Sequence, residues 1–201
     1  MSATQLGLLA GVPSVTLGEV RDPLDRHYSP DALALCCCEA LKAEGVQPKL
    51  VVEPSVGGGS FARAILRTWP SARIVGVDVD PNAGGFAHCH ETKVGDWPTS
   101  GATWGRCADL VVGNPPFTGE AAIAHVVAAR AVAKVVALIL PWSPLGGVEA
   151  WSHLMAGSVR PVVVWPISPR PWPEHVRETA LYLWREGHSG RTAVAEPLVW
   201  R

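Results

Sequence analysis

Short runs of almost wholly apolar, β-branched residues recur along this chain: Leu50-Val51-Val52, Ile74-Val75-Gly76-Val77, Leu110-Val111-Val112 and Val135 to Leu140. A strand with one solvated face alternates apolar and polar residues, whereas a strand apolar throughout is covered on both sides. Helical spacing lies between the runs. It is seen over Asp31, Leu33, Leu35, Ala40 and Leu41, over Phe61, Ile65 and Leu66, and in an alanine-rich stretch from about Gly119 to Ala131. Ser29 is the expected N-cap of the first helix, with Pro30 in its first turn, and Gly45 and Pro48 end it. Strands alternating with helices in this way predict an α/β fold, a mostly parallel sheet with helices on both faces.

The end of the chain follows another rule. Val162 to Trp165 and Ala180 to Trp184 read as strands, and the loop between them is too short for a crossover helix, so they are expected to be antiparallel neighbours. A weaker strand is expected over Phe86 to His90. Residues 1–27 have no clear period and read as an N-terminal arm. Residues 28–201 read as a single domain, since no linker divides them and no repeat is found.

Bulk composition narrows the function classes. The chain has 201 residues, 48% hydrophobic and 17% charged, enough to bury a full core. A net charge of −1 gives no global basic field, which argues against tight non-specific DNA binding and leaves room for a local basic rim. The cysteines Cys36, Cys37, Cys38, Cys89 and Cys107 have no CxxC spacing, and a reduced, cytoplasmic setting fits them. His88-Cys89-His90 invites a metal reading. In a strand its two histidines share a face with no third ligand evident, so no metal is expected. No secretory signal is visible, and the apolar stretch from Val132 to Leu140 carries Lys134 and is too short to span a bilayer, so no membrane association is expected.

Three motifs carry chemistry. Glu53-Pro54-Ser55-Val56-Gly57-Gly58-Gly59-Ser60 joins a strand to a helix, and its glycines permit a sharp turn and close approach to a ligand. Asp78 closes the next strand and is expected to face the same crevice, where it can accept hydrogen bonds from ribose hydroxyls. Ala62 stands where a dinucleotide fingerprint wants its third glycine, and no phosphate-loop lysine follows. A nucleoside-like ligand with little phosphate remains. The third motif, Asn114-Pro115-Pro116-Phe117, leaves the end of an apolar strand.

In this order the three motifs resemble the amino-methyltransferases of the Rossmann-like class I methyltransferase fold, above all the DNA adenine-N6 methyltransferases. The likeness runs from Tyr28 to Trp184. It implies a seven-stranded sheet with a C-terminal antiparallel hairpin, S-adenosyl-L-methionine as cofactor, and methyl transfer to the N6 of adenine by direct in-line attack. It implies roles as well. The Asn114 side-chain oxygen and the Pro115 carbonyl accept the amine N–H groups, the Pro115-Pro116 pair stiffens the loop, and Phe117 stacks on the base. Tyr28, Ser29 and Pro30 resemble the segment that contacts the methionine end of the cofactor, with serine where the family usually has threonine. Glu53 matches the acid at the cofactor amino group, followed by Pro54, Ser55, Gly57 and Gly59. Asp78 falls at the ribose, and Val79 beside it is counted with the cofactor site. Asp96 falls where an acid meets the adenine amine; the other reading of Asp96 is a turn residue.

The hairpin also resembles that of small phage-type adenine methyltransferases. Its loop offers Arg170, Trp172, His175 and Arg177 to phosphate or to an extruded base, and Trp142 is a further candidate for the pocket wall; a stiffened hairpin tip with a packed tryptophan is the alternative. The expected partner is nucleic acid, DNA before RNA, with the adenine flipped or single-stranded. No separate target-recognition domain is expected, so specificity falls to short loops, a partner subunit or a homo-oligomer. The alternatives are adenine-N6 methylation of RNA, N5 methylation of protein glutamine (where tyrosine is usual at the position of Phe117), and a non-catalytic cofactor-binding subunit.

Overall fold

A computed structural model describes residues 28–101, 103–117, 121–142, 160–167 and 179–200. The chain runs α1 (Asp31–Ala43), β1 (Leu50–Glu53), α2 (Ser60–Thr68), β2 (Arg73–Asp78), a 3-10 turn (Gly84–His88), β3 (Glu91–Val94), α3 (Trp97–Gly101) and β4 (Ala108–Gly113). It continues with α4 (Ala121–Val132), β5 (Ala133–Pro141), β6 (Val163–Pro166), β7 (Thr179–Arg185) and β8 (Ala193–Val194).

The strands form one sheet in the order β3-β2-β1-β4-β5-β7-β6-β8. β1 to β5 pair in parallel, and β7 runs antiparallel to both β5 and β6. This is the mostly parallel sheet finished by an antiparallel hairpin that the apolar runs predict. Successive residues of each strand feed opposite faces. Val51, Leu110, Val112, Ile139 and Leu183 join the core cluster that includes α1 and α2. Val52, Val111, Leu138, Leu140 and Trp184 join the cluster that includes α4. Both faces are therefore covered, which is why the strands read as continuous apolar runs rather than alternating ones.

Three expectations need correction. Among the described residues the sheet has eight strands, not the expected seven, because the two-residue β8 pairs in parallel with β6. It covers the outer edge of β6 through amides of Ala193 and Ala195 bonded to Val162 and Val164 carbonyls at 2.9 and 3.0 Å. So short a strand leaves no periodic signal. Phe86 to His90 is not a strand: Gly84–His88 makes a 3-10 turn, and the strand begins at Glu91, exposed along its whole length. Its charged residues suit a sheet edge and hide it from an apolar search. His88 and His90 therefore do not share a strand face; the His90 ring nitrogen Nδ1 accepts the Ile74 N–H at 3.1 Å. Finally, Ser29 does not cap α1. Pro30 occupies the N-cap position, and the Ser29 hydroxyl is buried with no hydrogen-bond partner among the described residues.

Candidate active site

The order of the sheet reverses beside β1. Its crossover leads out to β2, while β4 lies on its other side, so a crevice opens beyond the carboxyl ends of β1 and β4. Glu53 ends β1 and Gly113 ends β4. A Cβ on Gly113 would lie 3.2 Å from Pro54 Cδ, so glycine lets the two exits run side by side. The cleft measures about 870 Å3 counted out to open solvent.

Its lining unites the three motifs. Tyr28, Ser29, Glu53, Pro54, Ser55, Gly57, Asp78, Val79, Asp96 and the whole of Asn114-Pro115-Pro116-Phe117 face it. Pro30 and Gly59 are not among the lining residues; they are the N-cap residues of α1 and α2. Trp142 is also outside it, partly exposed just past β5, the strand next to β4. Arg170, Trp172, His175, Arg177 and the arm 1–27 lie outside the described residues.

The glycine loop is held by backbone bonds. Gly57 has φ +50°, and its N–H donates to Asp78 Oδ2 at 2.7 Å, while Asp80 N–H donates to Oδ1 at 2.9 Å. The Tyr28 ring lies across Gly57, where a Cβ would come within 2.7 Å of it. Ser60 Oγ donates to the Ser29 carbonyl at 2.7 Å. Arg63 pairs with Asp31 at 2.6 Å and donates to the Gly58 carbonyl at 2.8 Å, so the Tyr28 segment, the loop and both helices are tied together.

The electrostatics are one-sided. Glu53, Asp78 and Asp96 line the cleft, and no lysine or arginine is found among its described lining residues. Glu53 is 2% exposed, and its Oε2 has no partner among the described residues. Burial, reinforced by the nearby Asp78 charge, holds its carboxyl well above the usual range, although an amide bond at Ala62 and the Arg63 charge work the other way.

Sequence reasoning missed three contributors. Gly85 packs against the loop so closely that a Cβ there would lie 2.5 Å from Gly59 Cα, and its N–H donates to the Gly57 carbonyl at 2.9 Å. The Gly84-Gly85 pair was the available signal. Trp97, fully buried at the start of α3, donates its indole N–H to the His125 carbonyl at 3.3 Å. His125, on α4, reaches the cleft wall, and a lone histidine in an alanine-rich helix was its only mark. Burial lowers its pKa below the ordinary value, so the ring is neutral near pH 7.

No family model matches the sequence. A curated relative, the type II methyltransferase M.CvrRI of Paramecium bursaria Chlorella virus XZ-6E, is 32% identical over 76 residues, 35% of this chain and only 19% of the viral protein. Among solved structures, a type I restriction-modification methyltransferase subunit from Streptococcus thermophilus superposes with a TM-score of 0.65 at 14% identity. That match covers 85% of this chain, which spans about half (47%) of the subunit. A candidate RNA methyltransferase from Pyrococcus horikoshii gives a TM-score of 0.62 at 20% identity, covering 85% of this chain and 94% of that one. These likenesses show the Rossmann-like methyltransferase fold.

Proposed function

We propose that this chain is an S-adenosylmethionine-dependent methyltransferase that acts on the exocyclic N6 of adenine in DNA. The observation that carries the proposal is the convergence of Glu53, Asp78, Asp96 and Asn114–Phe117 on one cleft with an acidic lining. S-adenosylmethionine carries positive charge at its sulfonium and its amine and offers donors at its ribose and adenine. Three acidic side chains suit it, whereas a di- or triphosphate would be repelled.

The residues present fit this cofactor. Glu53 Oε2 is a buried acceptor in want of a donor, which the cofactor amine would supply. Asp78 accepts one backbone N–H on each oxygen and keeps lone pairs for ribose hydroxyls. Tyr28, Ser29 and Pro30, tied down through Ser60, would close the methionine end, with Pro54, Ser55 and Gly57 shaping the floor and Gly59 setting the turn into α2. Val79 and Asp96 would meet the adenine face and amine. When bound, the cofactor supplies an electrophilic methyl group to a target amine that attacks in line.

The chain's own work is to prepare that amine. Its lone pair is delocalised into the base, and acceptors at the Asn114 side-chain oxygen and the Pro115 carbonyl would draw on its N–H groups and localise the pair. Pro115 and Pro116 fix φ at successive positions, so the acceptors are held before the substrate arrives. Phe117 gives the base an apolar wall, and phenylalanine here favours a nucleobase over glutamine. The target adenine must leave a duplex stack or come from a single strand. Trp142, Arg170, Trp172 and Arg177 are assigned to the substrate side, and a partner subunit or a second copy of the chain is assigned the selection of sequence.

Mass spectrometry of N6-methyladenine in DNA and RNA from cells expressing the chain, with Asn114→Ala as control, tests the proposal. Methyl-adenine in DNA that disappears with the variant is expected. Methylation confined to RNA, or persisting in the variant, would overturn it.

A further inference from the structure

One polar corner of the cleft is short of hydrogen. His125 Nδ1 lies 2.8 Å from the Ala121 carbonyl, which can only accept, so a neutral ring carries its proton on Nδ1 and presents Nε2 as an acceptor. Nε2 stands 3.5 Å from Ser55 Oγ, and that hydroxyl lies 2.8 Å from the Pro54 carbonyl. Among the described residues, one hydroxyl hydrogen thus serves two competing acceptors, Pro54 O and His125 Nε2. The shorter contact commits it to Pro54, leaving Nε2 and Ser55 Oγ as neighbouring acceptors with no donor between them. His125 is 5% exposed, so the cleft is the side from which a further donor can reach its ring. Both side chains line the cleft.

We infer that His125 Nε2 and Ser55 Oγ form a donor-reading bay that accepts one N–H or O–H of the bound nucleoside and helps determine which nucleosides the cleft admits. The inference rests on the nucleoside-cofactor reading of the cleft. The donor has two possible sources, the exocyclic amine of the purine and a ribose hydroxyl, which share the same chemistry. Burial of His125 favours the neutral ring that this role requires.

Calorimetric titration of the full chain with S-adenosylhomocysteine, its inosine counterpart and its 2′-deoxy and 3′-deoxy analogues separates these sources. Asp78 and Asp96 also face the cleft, so the informative quantity is the change in discrimination caused by His125→Phe and by Ser55→Ala. Each variant is expected to weaken S-adenosylhomocysteine about fivefold to tenfold, the size of one hydrogen bond. Each is also expected to flatten the preference against one analogue. Flattening against the inosine compound identifies the amine, and flattening against a deoxy compound identifies the ribose. Should His125→Phe fail to fold, Ser55→Ala and the nitrogen resonances of His125 in the unmodified protein remain. The Nε2 signal should be that of an unprotonated nitrogen and should move toward a hydrogen-bonded value on saturation with S-adenosylhomocysteine. Unchanged affinities and preferences, or an Nε2 signal indifferent to the ligand, would overturn the bay while leaving the cofactor reading intact. Failure of the unmodified protein to bind S-adenosylhomocysteine would overturn both.

Discussion

The Glu53 carboxyl ends β1 in the cleft wall, buried and with one oxygen lacking a partner among the described residues. Its folded pKa stands above the unfolded value of 4.5, so across that window the folded chain retains a proton that the unfolded chain has released. The associated stability is complete below about pH 4.5 and is lost as the pH rises through the window toward the folded pKa. Glu53→Gln removes this loss. The free variant is expected to melt several degrees higher than the native chain near pH 7.5, with the gain shrinking near pH 4.5. Its affinity for the cofactor is expected to fall at least tenfold, because an amide offers no countercharge to the amine. Thermal melts at the two pH values, paired with calorimetry, check both halves. An equal gain at both pH values would show that the carboxyl is not the source.

At the scale of elements, the glycine loop depends on neighbours from two directions. From one side the 3-10 turn supports it through Gly85, where a Cβ would also strike Val56 Cγ1. Gly85→Ala is therefore expected to cost about 1–3 kcal/mol of stability and to abolish cofactor binding, read by denaturant titration and calorimetry. From the other side Arg63 ties Gly58 to Asp31. That ion pair is half-exposed and contributes little to stability. Arg63→Ala should leave the melting temperature within a few degrees of native while raising the cofactor KM severalfold at unchanged kcat. An unaltered KM would mean the loop is ordered without it. These elements also mark the limit of what the sequence discloses. The apolar runs of β1, β2, β4 and β5 were legible because both of their faces are buried, and Glu53, Asp78 and Asn114 were legible because they sit at the ends of those runs. The turn at Gly84–His88 and the strand Glu91–Val94 were not. Their conformation is decided by contact with a loop far away in the chain and by an edge position, and neither imposes an apolar period. His125 escaped for the same reason, since only the fold reveals that one turn of α4 borders Ser55.

For the molecule as a whole, charge decides how a polymer can approach. The chain carries a net charge of −1, and the cleft offers three acidic side chains and no described cation, so long-range attraction to a phosphate backbone is weak. An enzyme that extracts a base from a duplex spends a few kcal/mol on unstacking and unpairing, and phosphate contacts commonly offset that cost. On the proposed function that offset is small here, unless another subunit or the segment bearing Arg170 and Arg177 provides it. The isolated chain is therefore expected to methylate an adenine in single-stranded or mismatched DNA more efficiently than the same adenine in a paired duplex. A gap in kcat/KM of about tenfold or more corresponds to a penalty of about 1.4 kcal/mol or more left uncompensated. Its duplex affinity should fall only gently with added salt, since few counterions are released. Steady-state assays on oligonucleotides of one sequence in the three states, with binding measured across a salt series, put both expectations to the test. Equal efficiency on paired and unpaired adenine, together with a steep salt dependence, would place a strong phosphate clamp on this chain itself. The search for it would then begin at Arg170 and Arg177.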